Sequence, residues 1–343
     1  MQPGVFGAGA AAGFLGDLVF ADPRRAHPVA AFGRAASAVE RRLWHDHRGA
    51  GALHTAVCAG TVAAASALLA SRTRGALPGA ALTAAATWAV LGGTSLGREA
   101  RIIAAALDAG DLTAARRRLP HLCGRDPQAL DADQMARAVV ESVAENTSDA
   151  VVGALVWGAL AGVPGLLGFR AVNTLDAMVG HTSPRYRRFG WASARLDDVV
   201  GWPGARLTAA LATLAGPDPA GAWRVWRRDA ASHPSPNAGH AEAAFAGALG
   251  VRLGGTLAYG GRVEHRPVLG GEGRPVAVAD VERAVRLSRR VGALALGASV
   301  LGRFAVARAR IGRSTTSGPN ARTGPNARAG GRASGPGTRR GPR

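Results

Sequence analysis

The chain has no lysine; all 42 of its basic residues are arginine. A Walker A phosphate loop needs its lysine, so that nucleotide site is excluded, and so are a Schiff base and a lysine nucleophile. Cysteine is nearly absent. Cys58 and Cys123 stand far apart in unlike surroundings, which implies neither a disulfide framework nor a CxxC metal site. No HExxH motif occurs. Aromatics make up only 5% of residues, and no helix-turn-helix, zinc-finger or aromatic-basic RNA signature is present. Acids are scarce too: 23 against 42 arginines leaves a formal net charge of +19. Without a nucleic-acid motif, that charge suits an anionic membrane surface or anionic small ligands.

Alanine, glycine and long apolar runs are abundant. Residues 3–20 form an apolar run with one acid, Asp17, and no basic flank before it. It reads as a retained membrane helix rather than a cleaved signal, with small residues that let helices approach closely. Residues 31–44 read as an amphipathic helix with Arg34, Arg41 and Arg42 on its polar side. Its Glu40 stands outside every polar cluster, so Glu40→Gln is expected to be near neutral. Runs 52–71 and 77–96, joined by a short link, read as a spanning hairpin, and 291–309 as a last apolar helix. Asp131 is placed to cap a helix running toward Asn146. The fold class expected is all-α: a polytopic helical membrane protein with polar segments at 97–148, 170–197 and 217–290. The domain is expected to cover residues 1–311. Residues 312–343 are Gly/Pro/Ser/Arg-rich, repeat GPNAR, and are expected to be disordered.

The chain is organised around residues 141–202. Apolar runs there are interrupted by Glu141, Glu145, Asn146, Asp149, Asn173, Asp176, Arg195, Asp197 and Asp198. Carboxylates beside apolar surface cost free energy unless paired, hydrated or bound to an ion. Glu141 and Glu145 lie one helical turn apart, so a cation between them would relieve their repulsion. Pairing with the many arginines is the plainer alternative. The run 149–169 is broken at Gly162-Val163-Pro164-Gly165. If it crossed the membrane fully, it would split Glu141 and Glu145 from Asn173 and Asp197. It is therefore expected to be re-entrant or buried, leaving both polar clusters on one side.

Six segments, in this order, carry a resemblance: DPRRAHPVAAFGR, ESVAENTSDAVV, FRAVNTLDAMVGH, RYRRFGWASARLDDV, HPSPNAGHAEAAFAGALGVRLGG and YGGRVEHRPVLG. Together they resemble the CobD/CbiB family of cobalamin biosynthesis, from about residue 13 to 300. The resemblance implies a multi-pass protein of the cell membrane, with its polar segments cytoplasmic. It implies an adenosylcobinamide-phosphate synthase, joining aminopropanol or its O-phosphate to a propionate of adenosylcobyric acid at the expense of ATP. Membrane lipid, and other enzymes of the corrinoid pathway, are the further partners it suggests; the corrinoid is substrate rather than cofactor. Departures from the family pattern fall at Ala21, His181, His240-Ala241, His265 and Gly271.

Amide formation driven by ATP needs Mg²⁺ on the phosphates, cations for the transferred charge and a base for the ammonium. Glu141, Glu145, Asp197 and Asp198 are the expected metal ligands. Glu141, Glu145, Asn146, Asn173, Asp176 and His233 are the expected catalytic set, with His240 as an alternative base. Asp22, His27, Arg195, Ser235, Asn237 and Arg266 are expected to bind substrate, and Arg170 shares the phosphate with Arg195. The HPSPNAGH loop also reads simply as a turn before a helix at 241–249. Two other functions compete: an AmpE-like membrane regulator, and a transporter. Retention of the ENT, NTLD and SPNAG clusters favours the enzyme, and the lack of an internal repeat weakens the transporter.

Overall fold

A computed structural model describes residues 2–22, 27–259 and 262–316. The chain divides into two compact units, Met1–Ala307 and Arg308–Arg343. The fold below is that of the first. Helix α1 (Pro3–Phe20) is followed by α2 (Pro28–Leu43), α3 (Arg48–Arg72), α4 (Ala76–Val90), α5 (Gly93–Asp108) and the short α6 (Leu112–Arg118). Then come α7 (Ala132–Thr147), a π-type turn at Ser148–Val152, α8 (Gly153–Ala161), α9 (Val163–Val179) and α10 (Trp191–Ala215). Helices α11 (Pro219–Asp229) and α12 (Ala238–Leu249) lead into strands β1 (Leu253–Tyr259) and β2 (Arg262–Leu269), and α13 (Ala279–Thr316) closes the described chain.

Among the described residues, four helical stretches are long and apolar enough to cross a membrane: Pro3–Phe20, Arg48–Arg72, Ala76–Asp108 and Ala279–Ala309. They match the expected spans, and the architecture is that of a multi-span helical membrane protein. Helix α10 is not among the four, and Pro203 lies inside it. Helix α1 packs along α4 with almost no side chain between them. A Cβ at Gly9 would lie 2.5 Å from the Ala80 carbonyl oxygen, and one at Gly13 2.4 Å from that of Ala84. Only glycine permits that approach, which replaces side-chain packing with backbone contact.

The polar segments are ordered by local rules. Asp131 and Gln134 form a complete capping box at the start of α7, as the sequence suggests. Gly162 takes a left-handed φ of 70° between α8 and α9, and the two helices pack against each other as a tight hairpin. This reversal returns the chain, so the end of α9 lies near the end of α7. The apolar core beneath is built largely from Ala, Val and Leu of α5, α7, α8, α12 and α13.

Three expectations are amended. The segment 217–290 is not only helices and turns: it contains the antiparallel β1–β2 hairpin, with an irregular register between Leu253 and Gly255. Helix continues past Gly312 to Thr316, and residues 317–343 lie outside the described residues. Glu40 is not a free surface acid. It is buried, accepts a hydrogen bond from Tyr186 Oη at 2.9 Å and pairs with Arg185 at 3.0 Å, tying α2 to the segment before α10.

Two measurements check this account. Carbonate washing of membranes is expected to leave the protein in the pellet; recovery in the soluble fraction would refute the spans. Glu40→Gln is expected to destabilise by about 1–3 kcal/mol, because it removes a charged partner from a buried tie. In a double-mutant cycle with Tyr186→Phe, detergent-phase denaturation should show non-additive losses; strict additivity would place Glu40 outside the tie.

Candidate active site

The C-terminal end of α7, the π-type turn, the second half of α9 and the start of α10 bring acids together. A π-type turn adds one residue per turn and often marks a functional site; here it re-aims Asp149. Glu145 is exposed to water yet surrounded by protein, so it stands in an open cleft rather than on a convex face. Burial pushes its carboxyl up, opposed first by Arg266 and then by Arg125. Asp197 is half-buried and pushed up to about 7, first by burial and then by the Asp176 charge. Asn173 links the helices: its Oδ1 accepts from Arg170 at 3.3 Å, and its Nδ2 donates to Asp197 at 3.5 Å. Burial and Asp198 raise Asp176. Arg170 is the cation among these acids, and it is drawn to both Asp22 and Asp149. The reversal between α8 and α9 is what brings Glu145 and Asp197 into one cleft.

The other expected residues divide. Both Glu141 oxygens are occupied: Oε2 pairs with buried Arg125, and Oε1 accepts from the Gly254 N–H at 2.7 Å and lies 3.9 Å from Arg137 Nε. The plainer alternative, pairing with arginine, describes Glu141. Asn146 Nδ2 donates back to the Ser142 carbonyl at 2.9 Å. Arg195 reaches Asp198 at 3.5 Å from an exposed position on the rim, whereas Asp197 accepts from Asn173 Nδ2 at 3.5 Å. Asp22 is joined to His27 at 3.1 Å, while His27 Nδ1 accepts from Val29 N–H and caps α2.

The HPSPNAGH loop is largely consumed by structure. Ser235 Oγ accepts from the N–H groups of Asn237 and Ala238, capping α12. Asn237 accepts from Arg206 at 2.7 Å and donates to the Asp198 carbonyl at 2.9 Å, fastening α12 to α10. His240 Nδ1 accepts from Trp226 Nε1 at 2.8 Å, and burial holds its imidazole down to about 4, so it is neutral at pH 7. His233 is buried; its Nδ1 accepts from the Ser235 N–H at 3.0 Å, and its Nε2 stands 3.8 Å from Glu242. Burial and Arg266 lower its basicity. Glu242 was missed in the sequence. It is fully enclosed and raised well above the usual carboxylate range by burial, with Glu141 and Glu145 adding to the effect.

Among the described residues, no three His, Cys, Asp or Glu side chains converge closely enough to cage a metal ion alone. Two half-sites therefore meet at Glu145. One is acid-rich, with Asp149, Asp176 and Asp197 around Arg170; the other is basic, with Arg125 and Arg266 beside Glu141, His233 and Glu242.

The model of the CobD/Cbib protein family matches residues 10–288, which includes every element of the cleft. The chain belongs to the CobD/Cbib family. A "Cobalamin biosynthesis protein CobD" of Mycobacterium tuberculosis is 55% identical over 302 residues, 87% of this chain and 95% of the relative. Proteins of the same name are 47% identical in Rhodobacter capsulatus over 213 residues (62% of this chain, 68% of the relative), and 43% identical in Geobacter metallireducens over 284 residues (79% and 88%). No solved structure matches the chain. Family membership makes this an enzyme of cobalamin biosynthesis, and the regulator and transporter readings fall away.

A pH test follows from Asp197. Its folded value near 7 exceeds the ordinary aspartate value of about 3.9, so the folded state binds the proton more tightly. The stability this confers is present below about pH 4 and is lost as pH rises through 7. Asp197→Asn cannot ionise. In metal-free detergent solution at pH 8 it is expected to unfold about 2–4 °C above wild type, the scale of about 1 kcal/mol, and the two should converge at pH 4.5. Equal differences at both pH values would show that Asp197 does not carry the strain.

Proposed function

We propose that the cleft joins the amine of aminopropanol, or of its O-phosphate, to the free propionate of adenosylcobyric acid in an ATP-dependent ligation. The observation that carries this reading is the acid-rich half-site, where Asp197, Glu145 and Asp176 crowd Asp149 and Arg170 is drawn to Asp149. Family membership supplies ATP-dependent ligation and the corrinoid and aminopropanol substrates.

The residues fit Mg²⁺ held jointly with phosphate. Mg²⁺ takes one or two carboxylates together with phosphate oxygens and water, so a three-carboxylate cage is not required. Glu145 and Asp197 are the ligands we assign; Glu141 is set aside because its oxygens are engaged, and Asp198 because Arg195 holds it. Bound there, Mg²⁺ neutralises phosphate charge. Arg170 and Arg266 bind phosphate oxygens in the bidentate manner that a lysine-free chain must use. They thereby stabilise the charge that spreads as the propionate oxygen takes the γ-phosphoryl group and ADP leaves. Asp176 accepts the proton lost from the amine nitrogen as it attacks the acyl carbon and phosphate departs. Asn173 fixes Asp197 and Arg170 relative to each other. His233, its Nδ1 lone pair committed to Ser235, acts as a positioning residue for Glu242 rather than as the base. We place this cleft on the cytoplasmic side, where ATP is available.

Glu145→Gln preserves shape and removes one charge. Turnover is expected to fall at least about a hundredfold, or roughly 2.7 kcal/mol, and the Mg²⁺ concentration for half-maximal rate should rise. The assay uses purified protein with adenosylcobyric acid, ATP and each amine in turn. An unchanged magnesium titration would take Glu145 out of the metal site.

A further inference from the structure

A second polar cavity lies behind the acid cleft, between α1, the α4–α5 break, the π-type turn and α13. Its volume is about 420 Å³. Phe14, Val151 and Ala293 give it apolar walls, and Asp17 and Arg289 give it two opposite charges. Asp17 is the one acid of the first apolar run. It is 3% exposed; its Oδ2 accepts from both the N–H and the hydroxyl of Thr94, at 3.1 and 3.0 Å, while its Oδ1 has no partner. Arg289 is exposed on α13 and influences Asp17 through space, yet no ion pair joins them among the described residues. Asp22 and Glu282 also face these charges; Asp22 is held by His27, and Glu282 by Arg101 and Arg286. A half-satisfied buried carboxylate and an arginine across a small cavity are complementary to a compact ligand that carries both charges.

The cavity shares a wall with the cleft. A Cβ at Gly93 would lie 3.6 Å from Asp17 Oδ2 and 3.2 Å from Val151; one at Gly92 would lie 3.9 Å from both Asp22 Oδ2 and Arg170 Nη2. Two consecutive glycines thus separate Asp17 from the cleft by a single thickness of backbone.

We propose that this cavity binds a short alkyl chain bearing a primary ammonium and a phosphate, with the ammonium on Asp17 and the phosphate on Arg289. The choice of phosphate as the anion rests on the ligase reading above. The same chemistry has two sources: a free amino-alcohol phosphate, which would be the substrate waiting beside the cleft, and the headgroup of an ethanolamine phospholipid.

The test is calorimetric titration of the full chain with 1-amino-2-propanol O-phosphate, without ATP or corrinoid, in nanodiscs of phosphatidylcholine with and without phosphatidylethanolamine. Asp17→Asn and Arg289→Gln are each expected to weaken binding at least tenfold. Arg289 is exposed, so its variant keeps the test valid if Asp17→Asn does not fold. Affinity independent of phosphatidylethanolamine identifies the free compound as the occupant. Competition by phosphatidylethanolamine, abolished in Arg289→Gln, identifies the headgroup. Absence of binding, together with absence of any phosphatidylethanolamine effect that Arg289→Gln removes, overturns the proposal, as does equal binding by wild type and Arg289→Gln. A protein that binds the compound as expected but forms no amide in the complete assay would refute the ligase reading and leave this site standing.

Discussion

Like charge held at close quarters is the constraint on which this structure depends. Glu145, Asp149, Asp176 and Asp197 come from four different elements, and each raises the cost of ionising another. One arginine and one asparagine are not enough to offset that repulsion, so the apolar helices beneath must hold the elements there. The means are visible. Gly162 reverses the chain in one residue, Asn173 bonds to both a cation and an acid, and Asn237 fastens α12 to the backbone beside Asp197. Acids crowded in this way repel one another, and the alanine-rich scaffold resists that repulsion.

The opposite half of the cleft solves the complementary problem. Arg125 is buried and would be costly alone, but Glu141 on α7 meets it and is itself held by the β1 backbone. That arrangement consumes one of the two glutamates that the sequence shows one turn apart. It leaves Glu145, four residues on, at the boundary where the field changes sign. A group there feels arginine from one side and aspartate from the other.

Much of this was legible in the sequence. Hydropathy gives the spans, amphipathic spacing gives α2, Asp131 gives the start of α7, and the glycine–proline break at 162–165 gives the hairpin. These are local signals with local causes. What was not legible depends on distant partners. Glu40 reads as a surface acid because Arg185 and Tyr186 lie about 145 residues away. Glu242 sits as a lone acid in an alanine-rich helix, and only α7 and β2 make it part of the charge cluster. Glu141 looked equivalent to Glu145 until Arg125 claimed it. The β1–β2 hairpin is an intermediate case: residues of strand character flank Gly260-Gly261, a known turn signal. The helical context drew the reading away from it.

The glycine seam between α1 and α4 has a consequence for assembly. Synthesis delivers α1 first, and some sixty residues pass before the backbone of α4 exists to receive Gly9 and Gly13. Until then the face of α1 that carries Gly9 and Gly13 has no backbone to meet. Helix α1 can lock onto α4 through this seam only once α4 has formed. Asp22 follows directly on that helix, so its place beside Arg170 is set late, by a contact between backbones.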